Sequence, residues 1–565
     1  MDRLIAASLV WITIACTPAI AGQKTESSPV PDEYQKLISK EARFIFFMKN
    51  PSQVIAEIKS LAIVKEVPPP TLSKGMELPF TTSKRIKADQ FFIAWADELP
   101  QFFNQPSMHV ATRIPADQVG KLKPDPGYSI EYQGQIAIFT LKKGETWKMP
   151  KEGNNPMLTA LPDADIGAAL NGKEMGEAMS ANLKELLDTA PLMFDERMKQ
   201  SIRGSEKYGD TAVSNAIKSV TKDFQNLVGE LLPTVRSTRL LTAGINLGKD
   251  SVKVDAALHF SEDLPGRDPF DAQLIDQLPP GLPLYMALNG PAARWVSQIE
   301  FDVLEGFLIS EAEQVAKFEA LKTQWNKMVG LIDGGITVGM TLNTAYQWSN
   351  VQTTDGVAFM AACNAVMKDL GELNVGITTK PNGTDRWTMD IDGLKIGKLM
   401  GATKEAQLGL ANQFGGNYGT NAIRSGNLVM AKQYPVDAPK FPMFDQDRTL
   451  FTRLKGPNTD NLIVGVAADL GLLIRRDTVK TLEMQGKKES AQAVKRIVPN
   501  EPIALHIDLS RAGPRQIELG ASFPLKRAMN YFTKLAKLED DQPKRTKDAA
   551  GKSKVRTPVK SPTTR

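Results

Sequence analysis

Three histidines are the side chains best suited to acid–base chemistry near neutral pH. His109, His259 and His506 each stand between two apolar residues in an alternating stretch, so we expect each on the polar face of a strand. His506 and Asp508 would share that face, and a carboxylate at this spacing can orient an imidazole. A solvated surface pair explains the same spacing, so we assign no catalytic residue.

Motifs for nucleophilic, phosphate-binding and metal chemistry are missing from the sequence. It contains no G-x-S-x-G elbow, no complete phosphate-binding P-loop, no G-x-G-x-x-G after a strand and no HExxH. Two cysteines and three histidines leave little material for a transition-metal site. We therefore predict no cofactor and no metal, and an enzyme is the less favoured interpretation.

Carboxylates are the remaining catalytic candidates. Asp390 and Asp392 resemble the middle of a calcium loop, but Thr388 and Leu399 occupy its first and twelfth positions and cannot supply carboxylates. A glycosidase-like hydrolase needs only two acids, which can be distant in sequence. A secreted carboxylate-dependent hydrolase is therefore our alternative hypothesis, and two carboxyl groups about 5–10 Å apart in a cleft would support it.

The first 21 residues predict a secretory signal peptide. An uncharged apolar run from 4 to 16 is too short for a transmembrane helix, and 19–21 is Ala-Ile-Ala, a signal-peptidase pattern. Two alternatives stay open: lipidation at Cys16 and an uncleaved anchor. We expect export to the periplasm or the extracellular space, with no multi-span membrane segment.

Cleavage would leave Cys363 as the single cysteine, which allows no intrachain disulfide. Val357, Phe359, Ala361 and Cys363 alternate with other residues, a pattern that predicts a strand with Cys363 as a small buried side chain.

A strand–polar corner–helix pattern recurs along the chain. It occurs at 44–51, 165–172 and 284–291, and a weaker copy is predicted at 503–510; Ala-Leu-Asn-Gly appears at both 169–172 and 287–290. Alternating stretches such as 252–260 and hairpin signals at 133–134, 248–250 and 381–383 favour antiparallel sheets. We predict an α+β fold of repeated units, each an antiparallel sheet packed with long amphipathic helices. Corners of this kind also arise by chance.

These patterns divide the chain into seven segments. The predicted boundaries are a signal peptide at 1–21, a polar linker at 22–35, α+β units at 36–160, 161–281, 282–400 and 401–541, and a disordered tail at 542–565.

The tail carries most of the charge. Its eight Lys and Arg residues against Asp548 alone give it +7, while the whole chain has a formal net charge of +5 and the rest is therefore −2. Anionic lipid or cell-wall polymer are the partners we consider, and nucleic acid is disfavoured by export. Plain solvation is the simpler interpretation. The candidate interaction residues are Lys544, Arg545, Lys547, Lys552, Lys554, Arg556 and Lys560.

Aromatic residues are concentrated in the first hundred positions, and the chain has 21 Met. These side chains either fill the core of the first unit or line a groove for a lipid-like ligand. Our leading hypothesis is an exported, non-enzymatic binding or scaffold protein of the cell envelope that can hold a hydrophobic ligand.

Overall fold

The computed structural model describes most residues between 28 and 540. Its longer gaps are 58–90, 99–106, 186–221, 409–415 and 438–449. The predicted signal peptide with Cys16, and the tail at 542–565 with its candidate interaction residues, lie outside the described residues.

Eighteen described strands form one antiparallel sheet. The strands are β1 Phe44–Met48, β2 Phe92–Ala96, β3 Met108–Arg113, β4 Ser129–Gln133, β5 Ile136–Thr140, β6 Ile166–Asn171, β7 Thr238–Leu247, β8 Val252–Phe260, β9 Leu284–Leu288, β10 Ile332–Met340, β11 Gln347–Thr353, β12 Ile377–Pro381, β13 Arg386–Ile391, β14 Gly416–Ser425, β15 Leu428–Pro435, β16 Leu462–Asp469, β17 Ala504–Gly513 and β18 Gln516–Phe523.

Helices follow several of these strands. They are α1 Asp32–Gln35, α2 Met157–Ala160, α3 Gln273–Asp276, α4 Gly290–Leu308, α5 Ala312–Gly330, α6 Gly356–Glu372, α7 Gly393–Leu399, α8 Leu470–Met484, α9 Lys488–Arg496 and α10 Leu525–Asp540. Further helical residues occur between 51 and 57, 176 and 185, and 222 and 236. The fold is therefore mixed α+β, as predicted.

The pairings give one unbroken strand order, β4-β5-β3-β2-β1-β6-β7-β8-β18-β17-β16-β9-β10-β11-β15-β14-β13-β12. Strands β1–β8 form one half of the sheet and β9–β18 the other. The halves join where β8 pairs with β18, over eight residue pairs from Gln516–His259 to Phe523–Val252. All three predicted hairpin signals lie between paired strands, at β4–β5, β7–β8 and β12–β13.

Separate apolar cores cover the two halves. On one face, Phe47 and Trp95 of the first half pack with residues near α1 and α2, and Tyr285 of the second half packs with residues of α3. On the opposite face, Leu288 and Val351 pack against α4, α5 and α6. The early aromatics that the structure describes, such as Phe47, therefore fill core, which confirms the simpler of their two interpretations.

A polar residue marks the corner where a strand passes into a helix. Asn289 follows β9, and its side-chain oxygen accepts from the Ala292 N–H at 3.0 Å. Asp469 ends β16 and accepts from the N–H groups of Leu472 and Ile503 at 3.2 and 3.3 Å. These contacts satisfy backbone donors that the first helical turn leaves unpaired.

Two sequence predictions were wrong in this region. Residues 357–363 form part of helix α6, because Asp355 caps its first turn by accepting from Val357 and Ala358 N–H, and Cys363 packs its sulfur 3.4 Å from Met328 Sδ. Residues 503–510 do not lead into a helix, because β17 continues to Gly513 and turns into β18. The strand–helix corner of this part of the chain lies at Asp469.

Part of the predicted linker at 22–35 is described by the structure, from residue 28 onward, and packs into the first core. Val30 and Tyr34 are each 1% exposed and belong to the first core, and the Tyr34 hydroxyl donates to Phe91 O at 3.2 Å. The mostly polar composition of residues 22–35 did not indicate that the side chains of Val30 and Tyr34 are buried in the core.

Gly335 provides a test of how tightly the corner after β9 is packed. Its φ is +118°, and an added Cβ would lie 2.3 Å from Leu288 O, whereas Gly134 has φ +61° with open space around it. We expect Gly134→Ala to lower the free energy of unfolding by about 1–2 kcal/mol from backbone strain. Gly335→Ala should cost about 1–3 kcal/mol more from the clash. Urea unfolding of both variants measures this difference, and equal losses would contradict the packing.

Candidate functional site

The four strands at the junction, β7, β8, β18 and β17, are called here the central strands. Residues directly opposite each other in an antiparallel sheet share a face. The register of the central strands therefore separates their side chains into one apolar and one polar face.

The central apolar surface is a set of partly exposed side chains on one face of these strands. None of them belongs to the buried clusters that the described residues form. At the centre of the same face Ala256 and Leu519 are buried, at 0% and 8% exposed, so the partly exposed side chains surround a covered middle. The members of the surface are Leu241, Ile245, Val254, Leu258, Leu505, Ile507, Leu509 and Ile517.

A row of alternating glycines and carboxylates crosses the opposite face. In strand order the directly paired residues are Gly244, Asp255, Gly520, Asp508 and Gly465. The Asp508 carboxylate lies over Gly520, where an added Cβ would be 2.5 Å from its Oδ1. The carboxyl groups of Asp508 and Asp255 therefore approach each other across β18.

Chain segments that pack on this face of the sheet contact the two ends of the row, one segment from each half. An added Cβ on Gly244 would meet Pro162 and Ala164 at 2.7–2.8 Å, and one on Gly465 would meet Leu454 at 3.2 Å. The two carboxylates thus lie between the two apolar cores, Asp255 on β8 and Asp508 on β17, on either side of β18.

Other charged groups complete this acidic cluster, which comprises Lys253, Asp255, His506, Asp508 and Glu518. Lys253 Nζ lies 2.9 Å from Asp255 Oδ2, and His506 Nδ1 lies 3.6 Å from Asp508 Oδ1. His506 and Asp508 do share a face, as predicted. Burial, the Asp255 charge and the Glu518 charge raise the pKa of Asp508 to about 6, against the opposing Lys253 ammonium.

The histidine predictions hold only in part. His259 and His506 lie on the face of the acidic cluster, and His259 pairs with Gln516 across the junction. His109 does not lie on a polar face: its ring packs against buried Trp95 with centroids 5.4 Å apart, and its Nδ1 is 3.1 Å from Thr140 Oγ1. Burial lowers the pKa of His109. Strand β3 is covered on both sides, which its alternating sequence did not show.

Two open depressions lie in the part of the chain that the structure describes. The first, about 330 Å³, lies beside the Arg113–Glu33 ion pair. The second, about 400 Å³, is lined by Glu177, Ser180, Ala181, Lys184 and Arg236. Neither includes the acidic cluster, and neither is an enclosed apolar cavity.

The same described residues contain neither a metal-binding cluster nor a membrane-spanning helix. No three His, Cys, Asp or Glu side chains there converge to hold a metal ion. No helix there is long and apolar enough to cross a bilayer.

Comparison with known proteins gives no identification. No protein-family profile matches the chain, and no curated protein matches it. Two crystal forms of TP0453, I and III, align with TM-scores of 0.20 and 0.18 at 8% and 7% identity. They cover 47% and 46% of this chain and 98% and 99% of their own. Likeness at these TM-scores carries no argument about fold or function.

The raised pKa of Asp508 predicts a pH-dependent stability. An unfolded carboxyl titrates near 4 and the folded one near 6, so the stabilising neutral form is lost as pH rises through about 6. Two pKa units correspond to about 3 kcal/mol, and screening of a side chain 34% exposed reduces the effect to about 1 kcal/mol.

Asp508→Asn should therefore gain about 1 kcal/mol relative to wild type between pH 4 and 7.5. Urea unfolding across this range measures the gain. Exposed Asp390→Asn is the control and should follow the wild-type profile. A gain that does not change with pH would contradict a raised pKa of Asp508 in the folded protein.

Proposed function

We propose that this protein is an exported, non-enzymatic binding or scaffold protein of the cell envelope that holds a hydrophobic molecule on the central apolar surface. The observation that carries the proposal is this surface itself. Contiguous apolar side chains that stay partly exposed on a protein surface can mark a binding site for a ligand, a membrane or a partner protein. Here the patch spans both halves of the sheet.

The proposal places the ligand along a partly exposed sheet face and not in an internal cavity. The two depressions described above are open and partly charged. An extended hydrophobic molecule on the central strands would bury side chains such as Leu258 and Ile517, which lie directly opposite each other. Removing apolar area from water contributes about 25 cal/mol per Å².

The repeated units are part of the same proposal. Strands β1, β2, β3, β6, β7 and β8 have the same relative order in the first half as β9, β10, β11, β16, β17 and β18 have in the second. The four predicted units at 36–160, 161–281, 282–400 and 401–541 each contain a strand, a helical segment and two further strands. Duplication explains why equivalent strands, β8 and β18, meet at the junction.

The proposed location in the cell envelope depends on export of the chain. It rests on the predicted signal peptide at 1–21, with Cys16 lipidation as the alternative anchor. The proposed partners are anionic lipid or envelope polymer for the tail and a hydrophobic molecule for the central strands.

The carboxylate-dependent hydrolase remains the alternative. Its supporting observation is the approach of Asp255 and Asp508 across β18. Binding is favoured over hydrolysis because neither carboxylate lines either of the two depressions described above. Detecting glycoside hydrolysis that Asp508→Asn abolishes would favour the alternative.

The ligand surface can be tested by making it polar. The double variant Leu258→Ser with Ile517→Ser removes two facing side chains, each worth about 1 kcal/mol or more of apolar contact. We expect at least a tenfold loss of affinity for an environment-sensitive alkyl dye. Fluorescence titration measures the affinity.

The matched control changes exposed apolar residues elsewhere, Ile423→Ser with Val436→Ser, which are 48% and 40% exposed. It should bind the dye as wild type does. Equal affinity of both double variants, with unchanged thermal unfolding, would contradict a site on the central strands.

The tail makes a separate prediction. Replacing its seven candidate residues by Ser should reduce binding to phosphatidylglycerol vesicles at least a hundredfold, because each cation near an anionic surface contributes about 1 kcal/mol. The wild-type binding should weaken with added salt. Vesicle sedimentation measures both effects, with Lys121→Ser and Lys317→Ser as controls. Unchanged sedimentation would leave solvation as the tail's role.

A further inference from the structure

We propose that the hydrophobic molecule is an anionic lipid, whose phosphate group is bound by Lys184 and Arg236 while its acyl chain lies on the central apolar surface. This inference rests on the proposed function and adds the chemical class of the ligand. The polar end of the site is the depression of about 400 Å³ before the start of β7.

Two helical segments form this depression, since Arg236 is the last residue of the helical stretch at 232–236. Glu177, Ser180, Ala181 and Lys184 are spaced by three and four residues, which places them on one face of the helical segment. Gly176 holds this segment against the chain before β7, since an added Cβ would lie 2.4 Å from Arg236 O. The depression is therefore fixed directly to the first strand of the central four.

The guanidinium of Arg236 is held in place from one side. Its Nε donates to Ser180 Oγ at 3.0 Å, and Ser180 is only 3% exposed while Arg236 is exposed. Among the described residues no carboxylate forms an ion pair with Arg236 or Lys184. An arginine fork matches the oxygens of a phosphate, and a lysine adds a second positive charge.

Charge along β7 sets the orientation of the ligand. Glu177 is the one acid at the depression, and it lies two helical turns from Lys184, about 10 Å away. Next to Arg236, Arg239 Nη1 donates to Arg236 O and Thr238 O, both at 3.3 Å. The other end of β7 meets the Asp165 carboxylate, which accepts from Leu247 N–H at 2.7 Å. An anion is favoured at the arginine end.

The depression and the apolar surface are close enough for one molecule. Leu241, the first apolar residue of the surface on β7, follows Arg236 by five residues, with a turn at Ser237, so at most about 17 Å separates the two Cα atoms. A lipid with its phosphate at Arg236 would have its acyl chain along Leu241, Ile245 and their neighbours.

The test uses three probes on the full-length chain: dodecyl phosphate, dodecanol and inorganic phosphate. Wild type should bind dodecyl phosphate about tenfold or more tightly than dodecanol, because charge-assisted hydrogen bonds contribute more than neutral ones. Lys184→Gln with Arg236→Gln should lose this preference and bind dodecanol as wild type does. Lys317→Gln with Arg386→Gln, which changes one exposed Lys and one exposed Arg elsewhere, is the control and should keep the preference.

Each possible result supports or contradicts the binding of an anionic lipid. A wild-type chain without the preference, or a preference that survives in Lys184→Gln with Arg236→Gln, overturns the anionic-lipid inference while dodecanol binding leaves the proposed function standing. Inorganic phosphate that binds as tightly as dodecyl phosphate would show a free-phosphate site and overturn the lipid. Failure to bind either alkyl probe would overturn the proposed function itself. Repeating the titration with the seven tail residues replaced by Ser removes any contribution of the tail.

Discussion

The pairing of β8 with β18 is the interaction on which the rest of the structure depends. Each half of the sheet has its own apolar cores, and both would otherwise end in an unpaired edge strand, which exposes a row of backbone hydrogen-bonding groups. Joining the two edges satisfies these groups. It also aligns the apolar sides of four strands into one surface and brings Asp255 and Asp508 together on the opposite side.

Local structure was largely predictable from the sequence. Alternation identified β8, turn residues identified three hairpins, and the polar corner after β9 identified the entrance to α4, whereas the corner at Asp469 was not predicted. These signals depend on residues that are close together in sequence, so they can be recognised without knowledge of the rest of the fold. Residues 357–363 show where this fails, since a two-residue alternation over a short stretch also fits one side of a helix capped by Asp355.

The candidate site was not predictable in the same way. Asp255 and Asp508 are far apart in sequence, and neither has a motif around it; only the register of β8, β18 and β17 brings them near each other. The apolar side chains of the central strands have the pattern of ordinary core residues. What distinguishes them is that no buried cluster of the described residues includes them, and that is a property of the assembled sheet.

Photolabelling with a long-chain acyl probe that carries a light-activated group near its end tests the central claim most directly. Mass spectrometry of the labelled full-length protein would locate the attachment sites. Our account predicts labels in 241–258 and 505–519, on both sides of the β8–β18 junction. Labels confined to other segments, or no labelling above that of a heat-unfolded control, would contradict a hydrophobic ligand site on the central strands.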